Sequence, residues 1–364
     1  MLNSKKKHGG NVWGASNQYG LEVNKLLDYS ANISPLGTPD RVKEAIRASL
    51  DKLVHYPDPD SIELRKELSL FLGVDMENII VGNGSVELIY LLAKMIRPEK
   101  VLLLHPTFSE YEFAVTSEEG QIKVLELKEQ NDFRIDIQAV IEALDDVQMV
   151  FLCNPNNPTG CLTDRKDVLA ILDAAEEKGV VMVVDEAFMD FLEHAEDFSV
   201  IEQIGKRENL FILRSLTKFF ALPGLRIGCG LGTQKMLEKM NSLREPWTVN
   251  ILAQEAALEA LRDEEYAQAV RQTIWAEKEF LYQELTEIDG LKPYPPSVNY
   301  IFLKITHPEL TASQIQESIV QKGILVRNCN TYPFLGEKYL RVAVRTRPEN
   351  IRLLEGLRAV LRAN

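Results

Sequence analysis

Ser215-Leu216-Thr217-Lys218-Phe219-Phe220-Ala221-Leu222-Pro223-Gly224-Leu225-Arg226-Ile227-Gly228 follows directly on an apolar run, Leu210 to Leu213, that reads as a buried strand. The lysine therefore stands just past a strand end, among hydroxyls, aromatic rings and a Pro-Gly turn. A lysine desolvated in such a place loses basicity and becomes a nucleophile. Ser215, Thr217 and Arg226 offer two hydroxyls and a guanidinium, a set suited to a phosphate. Alone, the stretch reads equally as a surface loop with a solvated lysine, so the flanking sequence decides.

Outward from it, apolar runs alternate with helical patterns. The predicted strands are 101–104, 122–127, 148–152, 180–185, 209–214 and 226–230, and the predicted helices are 109–117, 137–144, 164–178 and 198–206. Val180-Val181-Met182-Val183-Val184 shows no polar alternation, so both of its faces must be covered. That predicts an α/β fold with a mostly parallel sheet between helix layers. Ligands of such sheets gather at the carboxyl ends of the strands. Phe108, Asn154 to Gly160, Asp185 and Lys218 all fall there. A carboxylate closing an apolar strand is costly unless paired, and either a helix cap or a protonated heteroaromatic nitrogen would satisfy Asp185. Asn154-Pro155-Asn156-Asn157-Pro158-Thr159-Gly160 reads as a generic Asn-Pro loop or as a stiff turn holding the Asn157 amide against a phenolate-type oxygen. Phe108 reads as core packing or as a platform for a flat ring.

Asn78-Ile79-Ile80-Val81-Gly82-Asn83-Gly84-Ser85-Val86-Glu87 is a short strand, a glycine turn and a helix start. Gly84, Ser85 and Val86 form either a tight turn or a compact phosphate cradle of backbone N–H groups at a helix N-terminus. Glu87 occupies the third glycine's place of a dinucleotide fingerprint, which excludes that motif. Residues 1–40 lack long periodicity and read as an extended arm with two polar clusters, His8-Gly9-Gly10-Asn11 and Ser30-Ala31-Asn32-Ile33-Ser34-Pro35. Asp40 caps a helix to about Leu53, His55-Tyr56-Pro57-Asp58-Pro59 is a rigid turn exposing Tyr56, and Ser61 opens the next helix. Downstream, 246–286 is helical by pattern, Ser297 to Ile305 a strand, Ser313 to Lys322 a helix and 347–361 a terminal helix. The expected organisation is an arm (1–40), a large domain (41–250) and a smaller C-terminal α/β domain (251–364), the arm contributing to the substrate pocket.

The 364 residues are 45% hydrophobic and carry a net charge of −13, with a pI near 5.1. Such a balance argues against nucleic acid or an anionic membrane as partner. Cys153, Cys161, Cys229 and Cys329 form no CxxC pair and fit free thiols in a reducing cytoplasm. Five scattered histidines predict no metal site. No apolar run is long enough to span a membrane, Met1 to Lys7 lacks the apolar region of a signal peptide, and Lys5-Lys6-Lys7 reads as a solvated basic tip.

Lysine, aspartate, asparagine, aromatic ring and phosphate cradle together describe a pyridoxal phosphate site. With NPNNPTG, DEAF, SLTKFFALPGLRIG and the late LRVAVR in order, the chain resembles the fold-type I aminotransferase superfamily over essentially its whole length. The resemblance implies that Lys218 carries the cofactor as a Schiff base and that Asp185 pairs with the pyridinium nitrogen. It further implies that Asn157 bonds the ring's phenolic oxygen and that Phe108 stacks on the ring. Gly84, Ser85, Val86, Ser215, Thr217 and Arg226 would hold the phosphate, with Tyr56 reaching it from the second subunit of a homodimer. Phe188 departs from the tyrosine many relatives carry after Asp-Glu-Ala and removes one hydroxyl. HGGN followed by DYSANISPLG resembles the threonine-phosphate decarboxylases of cobalamin biosynthesis. That likeness implies decarboxylation of O-phospho-L-threonine to aminopropanol phosphate, with Arg341 on the substrate carboxylate, Arg327 on its phosphate, and His8, Gly9 and Asn32 completing the pocket. Arg341 and Arg327 each follow an apolar run, where a charge is expensive without an anion. Histidinol-phosphate aminotransferases share the late arginines but typically lack HGGN. Three alternatives remain at this point: that aminotransferase activity, the same decarboxylation of O-phospho-L-serine, and a non-catalytic binding protein on the same fold.

Overall fold

The computed structural model describes residues 8–362. Lys5, Lys6 and Lys7 therefore lie outside the described residues. The chain folds as two compact units. One comprises Leu36–Asn157 and Cys161–Arg271; the other takes the chain up to Pro35, Pro158–Gly160 and the chain from Gln272.

The larger unit is built on seven strands: β1 (Ile79–Gly82), β2 (Lys100–His105), β3 (Gln121–Glu126), β4 (Met149–Cys153), β5 (Val181–Asp185), β6 (Leu210–Arg214) and β7 (Gly228–Leu231). Their order in the sheet is β1-β7-β6-β5-β4-β2-β3. The pairs from β6 through β3 are parallel, and β7 alone runs against both of its neighbours. Every residue of β4 and β6 is buried, as an apolar strand covered on both faces must be. Packing between β6 and β7 is tight enough to dictate a glycine: a Cβ at Gly230 would lie 2.3 Å from Cζ of Phe211.

Three expectations are corrected here. The strand expected at 226–230 starts only at Gly228, because Arg226 sits in the left-handed region with φ 61°. The helix expected at 198–206 is no more than a 3₁₀ turn, Ile201–Gln203. Tertiary bonding overrides local propensity there: the Ser199 hydroxyl and the Val200 N–H both donate to the buried Glu186 carboxylate. The arm contains a helix, Val12–Tyr19, started by the Asn11 side chain accepting the Gly14 N–H and ended by left-handed Gly20. It buries no side chain, so no apolar stripe announces it.

The helical run 246–286 divides into Ile251–Leu261, capped by the Asn250 side chain, and Glu264–Thr286. Ile251–Leu261 buries Ala253, Ala256, Ala257 and Ala260 and packs on the helices Asp40–Ala48 and Ile62–Leu72. It belongs with the larger unit, which runs to Arg271. The arm belongs with the smaller unit, to which Leu27–Asp28 is joined by parallel pairing with Ile324–Leu325.

The smaller unit carries an antiparallel sheet of β8 (Leu291–Pro293), β9 (Tyr300–Ile305), β10 (Arg327–Asn328) and β11 (Tyr339–Ala343), in the order β10-β11-β9-β8. Its helix Ala312–Val320 opens with a Thr311/Gln314 capping box, and the terminal helix Arg347–Arg362 buries Leu353, Leu354 and Leu357.

Candidate active site

In the larger unit, the carboxyl ends of β2, β4, β5 and β6 carry Phe108, Asn157, Asp185 and Lys218. Lys218 lies in the one-turn helix Leu216–Phe219 that follows β6. Its Nζ donates to Ser215 Oγ at 2.9 Å and stands 5.8 Å from the Phe188 ring centroid. Burial holds this amine below the usual lysine range; Arg226 acts in the same direction and Asp185 against it. Asp185 is buried, and burial raises its pKa. The Tyr111 hydroxyl, Lys218 and the Ala187 N–H pull it back toward the ionised form. Half-buried Lys218 and buried Asp185 are of opposite charge, and each partly offsets the other's desolvation.

The anion cradle lies at the start of the helix Ser85–Ile96. Gly84 caps it at φ 75°, and a Cβ there would meet Nη2 of Arg226 at 2.6 Å. Only glycine lets the guanidinium come so close to the backbone. The N–H groups of Ser85 and Val86 belong to the first turn, where helical geometry provides no acceptor within the helix. Left-handed Arg226 turns its charge onto this point. Ser215 Oγ accepts from Lys218 and keeps its own hydrogen for a further acceptor. The Thr217 hydroxyl donates to Ile227 O at 3.0 Å. These donors, with the Lys218–Asp185 pair, fit a phosphorylated aldehyde whose ring carries a basic nitrogen.

Asn154 and Asn156 spend their amides on the loop itself. Asn154 exchanges two bonds with Thr163, and Asn156 bonds Pro106 O and the Thr107 hydroxyl. Tyr56 is 77% exposed and stacks on Trp247 with centroids 4.5 Å apart, so within one chain it serves no anion.

Several residues that matter here escaped the sequence reading. Tyr111 donates its hydroxyl to Asp185 Oδ2 at 2.6 Å. Behind the strand ends, Arg214 bonds Glu186 at 3.0 Å and also Asp190, all three buried. Glu186 follows Asp185 and Arg214 precedes Ser215, so this ion cluster ties together the two strand ends that present the reactive pair. Nothing in the sequence pattern pointed to Glu186 as an ion-pair partner or to Tyr111.

In the smaller unit, Arg327 and Arg341 are buried and stand directly opposite one another on β10 and β11. Arg341 donates to Ser30 O at 2.7 Å and lies over the Tyr300 ring; Arg327 donates to the Thr331 hydroxyl at 2.8 Å and lies over Tyr332. Two guanidinium groups buried side by side repel, and an anion between them relieves both charges. The N-terminal cluster is brought to the same place. Gly10 N donates to Ser30 Oγ at 2.8 Å, and a Cβ on Gly9 would stand 1.9 Å from Ser30 O. His8 is exposed at its edge. Asn32 is buried with its Oδ1 lacking any hydrogen bond.

The family model of class I and II aminotransferases matches residues 18–357. The threonine-phosphate decarboxylase of Salmonella typhimurium is 36% identical over 356 residues, covering 97% of this chain and 96% of that protein. The histidinol-phosphate aminotransferase of Moorella thermoacetica is 35% identical over 348 residues, covering 94% and 87%. The crystal structure of L-threonine-O-3-phosphate decarboxylase from Porphyromonas gingivalis superposes with a TM-score of 0.81 at 25% identity, covering 92% of this chain and 99% of that one. No helix among the described residues is long and apolar enough to cross a membrane.

Proposed function

We propose that this chain, which belongs to the class I and II aminotransferase family, is a pyridoxal-phosphate-dependent decarboxylase that converts O-phospho-L-threonine to 1-amino-2-propanol phosphate, the building block of the cobalamin nucleotide loop. Identity does not separate this chemistry from transamination, since the two relatives differ by a single per cent. The observation that carries the reading is the His8-Gly9-Gly10 segment laid on Ser30, the residue whose carbonyl receives Arg341.

When bound, pyridoxal phosphate supplies an aldehyde that receives the substrate amine and a ring that takes up the electron pair left on Cα. Lys218 would hold the cofactor and, when not bonded to it, would supply the proton that Cα takes in place of the lost carboxylate. Asp185 neutralises the protonated ring nitrogen, and Asn157 bonds the phenolic oxygen. Ser215, Arg226 and the first-turn N–H groups of Ser85 and Val86 take the cofactor phosphate. Arg341 binds the substrate carboxylate and Arg327 the substrate phosphate, with His8 and Asn32 as further donors. The remote phosphate contact would favour decarboxylation by fixing the orientation of the substrate carboxylate.

The working form is a homodimer in a reducing cytoplasm. Exposed Leu53, Val54, Tyr56 and Trp247 offer an apolar surface for a second copy, and the four cysteines are free. Tyr56 then meets the cofactor phosphate of the other subunit. Incubation with O-phospho-L-threonine, O-phospho-L-serine and histidinol phosphate tests the assignment. Carbon dioxide and aminopropanol phosphate must form without an added 2-oxo acid; consumption of histidinol phosphate only when an oxo acid is present would overturn it.

A further inference from the structure

Tyr111 lies on the helix Glu110–Ser117 with no exposed surface. Its ring stacks on Phe151 of β4, centroids 4.6 Å apart at 11°, and meets Phe108 edge-on at 5.5 Å. Those contacts fix the ring whether or not it bears a hydroxyl, and a phenylalanine would satisfy them equally. The hydroxyl has another use. It donates to Asp185 Oδ2 at 2.6 Å, while Ala187 N donates to Oδ1 at 3.0 Å.

We propose that Tyr111 is a positioning residue that keeps Asp185 ionised and correctly turned toward the cofactor's ring nitrogen. The inference rests on the cofactor reading above. A carboxylate with one donor on each oxygen is held in one plane and stabilised as the anion. Burial works the other way, pushing Asp185 toward the neutral acid. Without the phenol the carboxylate becomes more basic, and the proton it shares with the ring nitrogen moves toward it. A ring that has lost that proton withdraws electrons less strongly, so the Lys218 nitrogen bonded to the cofactor holds its own proton to higher pH.

The test uses purified holoenzyme and reads the visible absorbance of bound pyridoxal phosphate against pH. In Tyr111→Phe the midpoint of that titration should rise by about half a unit to one unit, and the cofactor should bind roughly tenfold more weakly, the scale of one lost bond to a charged group. Replacing Tyr111 by 3,5-difluorotyrosine keeps the shape and strengthens the donor, so the midpoint should fall; this arm decides if Tyr111→Phe does not fold. In an Asp185→Asn background both substitutions should lose their effect, because the tyrosine acts only through the carboxylate. An unchanged midpoint in both Tyr111 variants overturns the inference. So does an effect that persists undiminished beside Asp185→Asn, since that marks a purely structural role. Wild-type protein that never acquires visible absorbance with pyridoxal phosphate removes the cofactor reading itself, and this inference with it.

Discussion

The two units bury charge in opposite ways. In the larger one, Lys218 and Asp185 are of opposite sign, and each carries part of the other's desolvation cost. In the smaller one, Arg327 and Arg341 are of the same sign on adjacent strands. The first arrangement is nearly neutral before any ligand arrives, and suits a cofactor that is itself polarised, with an anionic phosphate and a cationic ring. The second sets two like charges opposite one another on a folded sheet, and suits a ligand that brings anions of its own.

The sharpest way to break this contrast is to remove the amine. Lys218→Ala should abolish turnover, with a loss on the order of a thousandfold or more, and should erase the visible absorbance of bound cofactor. Arg341→Gln comes next: kcat/KM should fall on the order of a hundredfold, the upper range for a lost bidentate contact to a carboxylate, while absorbance in the absence of substrate stays unchanged. Steady-state kinetics and a spectrum on the same sample check both halves. Arg327→Gln should raise KM for phosphothreonine roughly tenfold or more and leave any activity on unphosphorylated threonine unchanged. Equal losses on both substrates would remove Arg327 from the phosphate. Gly9→Ala should raise KM only several-fold, by displacing the arm from Ser30, where a Cβ would overlap the carbonyl at 1.9 Å.

A further prediction concerns stability. His105 is buried, and burial lowers its pKa to about 4. Its folded value lies below its unfolded value of about 6.5, so the unfolded chain binds the proton first. The stability this residue contributes is complete above about pH 6.5 and is lost as pH falls toward 4, at up to about 1.4 kcal/mol per pH unit. Chemical denaturation across this range should show the slope, and His105→Asn should flatten it. A slope that survives the substitution belongs to other groups.

Much of the site was legible because reactive residues sit next to strand ends, and strand ends are written as apolar runs. Lys218, Asp185, Asn157 and Phe108 were found that way, and the glycine turn at Gly84 from its strand–turn–helix pattern. The Arg226 strand start and the 198–206 helix were misread for one reason: long-range contacts, Arg226 against Gly84 and Ser199 with Val200 against Glu186, outweighed local preference. The Val12–Tyr19 helix was missed because it buries nothing.

Periodicity and residue order by themselves determined the layered sheet and the strand ends at which Asp185 and Lys218 stand. Those properties are local, each read within about ten residues. Only the tertiary structure decided that Tyr111 bonds Asp185 from 74 positions away, that Arg341 meets Ser30 across 311, and that helix Ile251–Leu261 joins the larger unit. A hydrogen bond or a packed face depends on distance in space, and chain separation carries no information about it until the fold has closed the loop between.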